Sequence, residues 1–154
     1  MRIALFPGTF DPFTLGHASI VERGLLLFDR VIIAIGVNAD KKTYFTLQER
    51  LEHINSCYSD NDKVEVCSYD GLTVELAQER GAGFILRGVR SITDFEYERQ
   101  LSDIYRRLSD VDTVCLFTEP SLSFIQSGMV RDLLRYHKDI SAYVPESIHK
   151  QINR

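Results

Sequence analysis

The chain has 154 residues, 44% of them hydrophobic, and a formal net charge of -4, which fits one domain over residues 1–154 with one core. Its pI near 5.5 and mean hydropathy of -0.12, with no Lys/Arg stripe along a helix, exclude a nucleic-acid groove. The longest apolar stretches, residues 25–28 and 31–35, fall far short of the ~20 residues that span a bilayer.

The elements alternate along the chain. Ile3-Ala4-Leu5-Phe6 reads as a short buried strand, and a Gly/Pro/Thr turn follows it. Ile20, Val21, Leu25 and Phe28 recur at helical spacing, so a helix is expected over 15–28. Residues 31–37 form a β-branched run of the kind buried on both faces of a parallel sheet. Thr46-Leu47-Gln48-Glu49 has the form of a capping box. Val64-Glu65-Val66 is a third strand, and 73–80 a helix stopped by Gly81. Phe84-Ile85-Leu86 is a fourth strand. A long helix over 93–108 should turn Phe95, Leu101, Ile104, Tyr105 and Leu108 inward. Residues 113–117 make a fifth strand, a Ser-rich loop feeds a helix through Arg135, and Pro145 suits the first position of a closing helix. Five strands alternating with helices predict an α/β fold with a doubly wound parallel sheet, whose ligands bind at the strand carboxyl ends near the switch in strand order.

Cys57, Cys67 and Cys115 cannot all pair with one another, and no Cys/His spacing suits a metal. Cys67 and Cys115 are expected as small buried apolar groups. Gly8 and Asp11 interrupt the first apolar run before it could act as a secretory segment, so a reducing, cytoplasmic location is expected.

The loop after the first strand, residues 8–17, carries the most information. Gly8 admits close backbone approach. Thr14 is a good N-cap, placing Gly16 and His17 in a first helical turn whose free N–H groups attract anions. His17 can donate to a phosphate oxygen; the helix dipole lowers its pKa and a bound polyphosphate raises it, leaving its charge open. No Gly-Lys-Ser/Thr or Gly-x-Gly-x-x-Gly pattern is present. A second loop, Arg87-Gly88-Val89-Arg90, is expected after the fourth strand, with two guanidinium forks able to converge on phosphates. In the third, residues 121–128, hydroxyls and a helix start can hold nucleotide oxygens, and Ser127 either caps the helix or touches phosphate.

Gly8-Thr9-Phe10-Asp11 with Thr14-Leu15-Gly16-His17 resembles the signature of the (H/T)xGH nucleotidyltransferase superfamily, with its Rossmann-like fold. Adding Lys41-Lys42, Arg87-Gly88-Val89-Arg90, Asp94-Phe95-Glu96-Tyr97-Glu98 and Ser123-Phe124-Ile125, the whole chain is similar to bacterial phosphopantetheine adenylyltransferases. The resemblance implies AMP transfer from ATP to 4′-phosphopantetheine, giving dephospho-coenzyme A and pyrophosphate in coenzyme A synthesis. It further implies Mg²⁺ carried mainly by ATP phosphates, and a homohexamer built as a dimer of trimers. It implies that His17, Thr9, Lys41 and Arg90 serve catalysis, and that Arg87, Thr9, Lys41 and Thr73 hold the acceptor. Lys42 rivals Lys41. ATP would meet Thr9, Phe10, His17, Gly88, Val89, Arg90, Glu98 and the segment Leu122, Ser123, Phe124, Ile125, Gln126, Ser127 and Gly128. Gln126 and Gly128 depart from the serines usual there. Rival readings are a nicotinate mononucleotide adenylyltransferase, a cytidylyltransferase, or a non-catalytic nucleotide-binding module.

Overall fold

Strand β1 (Ile3–Gly8) is the middle strand of a five-stranded, all-parallel sheet in the computed structural model, which describes residues 1–154. β2 (Arg30–Gly36) and β3 (Val64–Tyr69) lie on one side of it, β4 (Phe84–Val89) and β5 (Asp112–Phe117) on the other, giving the order β3-β2-β1-β4-β5. Between and after the strands run α1 (Leu15–Gly24), α2 (Leu47–Tyr58), α3 (Thr73–Glu79), α4 (Ile92–Leu108), α5 (Ser127–Arg135) and α6 (Glu146–Ile152). The doubly wound α/β fold expected from the alternation is the one observed. No helix is long and apolar enough to cross a membrane.

Alternation along the central strands builds a core on each face of the sheet. Phe6, Ile33, Ile35 and Leu86 point to one face and meet Ile20, Ile54, Val130 and Ile148 from α1, α2, α5 and α6. Leu5, Ile32, Ala34 and Ile85 point to the other and meet Val74, Leu76 and Ala77 of α3. Gly24 and Gly88 let α1 lie close to β4. An added Cβ would stand 2.6 Å from Leu86 Cδ2 at Gly24 and 3.0 Å from Ile20 Cγ1 at Gly88.

The strand order reverses between β1 and β4, and there the sheet opens. β1 pairs with β2 as far as Gly8, but with β4 only at Ala4 and Leu5. Pro7 has no N–H to continue a ladder. Its carbonyl instead accepts from Arg87 Nη1 at 2.5 Å. A cleft at the carboxyl ends of the strands follows from that gap.

Four expectations change. α1 stops at Gly24, and 25–28 form a turn in which Leu27 and Phe28 donate to the Gly24 carbonyl; Phe28 reaches the core from the turn and Leu26 is exposed. Arg87, Gly88 and Val89 belong to β4 itself, because β5 pairs with it out to Val89; only Arg90 lies beyond. On α4, Phe95, Ile104 and Leu108 face outward, Leu101 and Tyr105 are half-buried, and the one buried residue is Glu98. The helix rests on the sheet's β4–β5 edge and turns that carboxylate inward to meet Arg87. Cys115 is exposed, since β5 is an edge strand, and Cys67 is half-buried.

Candidate active site

The cleft above the β1–β4 gap holds about 510 Å³. Its floor is the loop from β1 to α1. Thr14 caps α1 in a reciprocal capping box, in which His17 takes the place of the usual acidic residue. The Thr14 N–H donates to His17 Nδ1 at 2.9 Å. That bond assigns the acceptor role to Nδ1, so the proton of the neutral ring sits on Nε2. The ring packs against Phe10 and Phe13, with centroids 5.0 and 5.4 Å away. Burial, reinforced by the Arg87 and Arg90 guanidiniums, pulls its pKa from 6.5 down to about 3. Burial and the two guanidiniums favour a neutral ring with its proton on Nε2, and a bound polyphosphate would act against them.

Phe10 explains Gly8. A Cβ on Gly8 would stand 2.8 Å from the Phe10 ring, so the glycine makes room for an aromatic side chain, and its backbone lines both clefts. Phe10 is buried and has φ 52°, a conformation uncommon for a bulky residue. Its ring faces the core, so only its backbone can meet a ligand, and its N–H has no partner within the chain. Of the first-turn N–H groups of α1, Leu15 donates to the Tyr143 carbonyl and His17 to Thr14 Oγ1. Gly16 keeps a free one.

The walls bring cations together. Lys41 Nζ donates to Thr9 Oγ1 at 3.0 Å, which favours Lys41 over Lys42, although both line the cleft. Arg87 donates through Nε and Nη2 to Glu98 Oε1 at 2.9 and 2.8 Å. Glu98, expected to meet ATP, lines both clefts and orients Arg87 through Oε1. Arg90 donates to the Ile125 carbonyl at 3.2 Å and pairs with Asp94. Opposite them, α5 begins without a side-chain cap. Gln126 holds the N-cap position; Ser127 is the first helical residue and donates its hydroxyl to the Pro12 carbonyl at 2.8 Å. The hydroxyl therefore does not cap the helix, while Ser127 does line the cleft. The open N–H groups of this helix start face the cleft at Ser127 and Gly128, a ready anion site.

Leu122, Ser123 and Phe124 lie outside the cleft lining. Leu122 ends a 3-10 turn, Ser123 donates to the Pro120 carbonyl, and Phe124 is exposed, edge-on to Tyr143. Val89 turns its side chain into the core. Thr73 lines a second cleft of about 270 Å³ that adjoins the first at Thr9, Lys41 and Arg87. There its hydroxyl bonds Tyr69 Oη at 2.9 Å. Two cleft residues escaped the sequence reading. Thr118 directly follows β5, and that position was the available signal; Arg131 lies four residues beyond Ser127 on one helix face.

The cleft's carboxylates are Asp11, Asp94 and Glu98. Asp11 accepts from the Tyr44 and Phe45 N–H groups, and the other two pair with arginines. No set of three acidic, His or Cys side chains could hold a metal ion. The donor set does not fit a resident protein-held cation. It fits a polyanion.

Residues 5–133 match the family model of cytidylyltransferase-like proteins. The chain is 52% identical to the phosphopantetheine adenylyltransferase of Bacteroides thetaiotaomicron, over 96% of this chain and 98% of that one. It is 53% identical to that of Porphyromonas gingivalis, over 94% and 95%. With the enzyme of Flavobacterium psychrophilum the identity is 50%, over 96% and 98%. On this likeness along nearly its whole length, the chain belongs to the phosphopantetheine adenylyltransferase family of cytidylyltransferase-like nucleotidyltransferases.

Proposed function

We propose that this chain transfers AMP from ATP to 4′-phosphopantetheine, releasing pyrophosphate and forming dephospho-coenzyme A. One observation carries the reading: a neutral His17 Nε2–H donor at the sheet's switch point, in a cleft also lined by Thr9, Lys41, Arg87 and Arg90. The acceptor is a phosphate monoester whose second pKa lies near ~6, so it is largely a dianion at neutral pH. It needs no general base, in keeping with a cleft whose carboxylates are all engaged. A phosphate oxygen attacks the α-phosphorus in line, the bond to the β-phosphate bridging oxygen breaks, and pyrophosphate leaves with those electrons. No covalent enzyme intermediate forms.

Catalysis then rests on positioning and on preorganised donors. His17 Nε2–H and Thr9 serve the α-phosphate. Lys41 and Arg90 offset charge that builds toward the leaving group, with the helix starts at Gly16 and Ser127 as further donors. Arg87, set by Glu98, holds the acceptor phosphate, and the second cleft beyond it, with Thr73, takes the pantetheine arm. Mg²⁺ would accompany ATP, held mainly by phosphates and water rather than by side chains of this chain. Three free thiols suit a reducing cytoplasm. Ile104 and Leu108 are exposed apolar residues on one face of α4, at 50% and 57% exposure, which supports a homo-oligomer; the family resemblance specifies a hexamer.

Pyrophosphate release from ATP and Mg²⁺ tests the acceptor, with 4′-phosphopantetheine in one arm and nicotinate mononucleotide in the other. Release with the first alone is the expected result. Release with the second alone overturns the acceptor and keeps the chemistry. Silence with both overturns the proposal.

A further inference from the structure

Arg50 lies on α2, is buried, and is not among the residues that line either cleft. Its guanidinium spans two carbonyls. Nη1 donates to Thr9 O at 2.8 Å, and Nε donates to Thr46 O at 3.3 Å. Thr46 is the N-cap of α2, so one side chain ties the catalytic loop after β1 to the start of the helix that follows the Lys41 loop. Keeping a cation out of water is costly unless it is paired and hydrogen-bonded. The charge that answers it is the neighbouring Asp11 carboxylate, which is itself held by two backbone N–H groups.

What Arg50 grips is the peptide plane that sets φ of Phe10. A trans peptide points its C=O and the following N–H in opposite directions. Holding Thr9 O toward α2 therefore aims the Phe10 N–H the other way, and that N–H has no partner within the chain. Phe10 at φ 52° would relax to negative φ if this plane turned over. The turn would break the bond to Arg50, displace the ring that packs 5.0 Å from His17, and redirect the Thr9 hydroxyl that meets Lys41. From the other side, Arg131 Nη1 donates to Asp11 O at 2.8 Å.

We propose that Arg50 is a positioning residue: by gripping the Thr9 carbonyl it locks the Thr9–Phe10 peptide so that Phe10 N–H, Thr9 and His17 face the reacting phosphates together. The inference deepens the proposed adenylyl transfer and rests on it for its kinetic readout only. Misplacing donors by an ångström costs on the order of 10²-fold in rate. Arg50→Gln should lower kcat by roughly 10- to 100-fold, with both KM values within about threefold of the parent. Arg50→Lys should do no better, because one ammonium cannot fork onto two carbonyls. The Phe10 amide cross-peak in ¹H–¹⁵N spectra should shift in both variants while the amides of β1, β2 and β4 stay in place. A kcat within threefold of the parent, a loss confined to KM, an unmoved Phe10 amide, or failure of both variants to fold would overturn the inference. If the parent turns over no acceptor, the proposed function falls and the Phe10 amide alone decides the role of Arg50.

Discussion

The backbone N–H of Thr14 donates to Nδ1 of His17 across one helical turn, at 2.9 Å. A capping box ordinarily closes with Glu or Gln; closing it with histidine makes the helix start fix the tautomer of the group that faces the cleft. Local capping and catalysis thus share one hydrogen bond. The expected spectroscopic result is a neutral ring with its proton on Nε2 from pH 8 down to about 4, read from ¹⁵N shifts of the imidazole. A ring that titrates near 6.5 would show that Nδ1 does not hold that bond.

The same shift makes a stability prediction. Burial pulls the pKa of folded His17 from the ordinary 6.5 down to about 3, so between those values the unfolded chain binds more protons. The stabilisation is fully present above pH 6.5 and is lost as pH falls toward 3. Urea midpoints should therefore drop more steeply from pH 6.5 to pH 4 in the parent than in His17→Gln, which has nothing there to protonate. Parallel slopes would contradict the burial of the neutral ring.

Gly8→Ala should cost more than Gly24→Ala. The new Cβ at Gly8 meets the Phe10 ring at 2.8 Å, a rigid group whose displacement also moves the support of His17. At Gly24 it meets one terminal methyl of Leu86, which can rotate away. Overpacking of the first kind costs about 1–3 kcal/mol, measured as the difference in unfolding free energy, and Gly8→Ala should lose kcat as well.

Glu98→Gln separates orientation of Arg87 from contact with ATP. Glu98 is 5% exposed and takes two donors of Arg87 on a single oxygen. Weakening that grip should raise the KM for 4′-phosphopantetheine by roughly tenfold, about 1.4 kcal/mol, and leave the KM for ATP near its parent value. A larger effect on ATP would return Glu98 to the nucleotide.

Sedimentation should find an assembly of six 17.7 kDa chains, and Ile104→Glu should break it into smaller species, because a charge in a buried apolar contact is expensive. A monomer in the parent would contradict the hexamer.

The sheet was legible because β-branched runs such as residues 31–35 suit strands buried on both faces and alternate with helical patterns along the chain. The Thr14 and Thr46 caps were legible because capping is local chemistry. The face of α4 was not: its apolar residues follow a helical pattern, yet periodicity cannot tell a core from a face left to a partner. Arg87 was misplaced into a loop because Gly88 reads as a breaker, whereas here it makes room for Ile20. Glu98 was marked only by the family resemblance, and Arg50 by nothing in the sequence. Their burial comes from partners 11 and 41 residues away, which no local pattern contains.

The most direct test of the central claim is His17→Ala, comparing kcat with the Kd for ATP. A donor that acts on charge built up in the transition state should cost ~10²- to 10³-fold in kcat when removed, with ATP affinity within about threefold of the parent. Equal losses in kcat and ATP affinity would mean that His17 only binds the ground state, and would contradict the account.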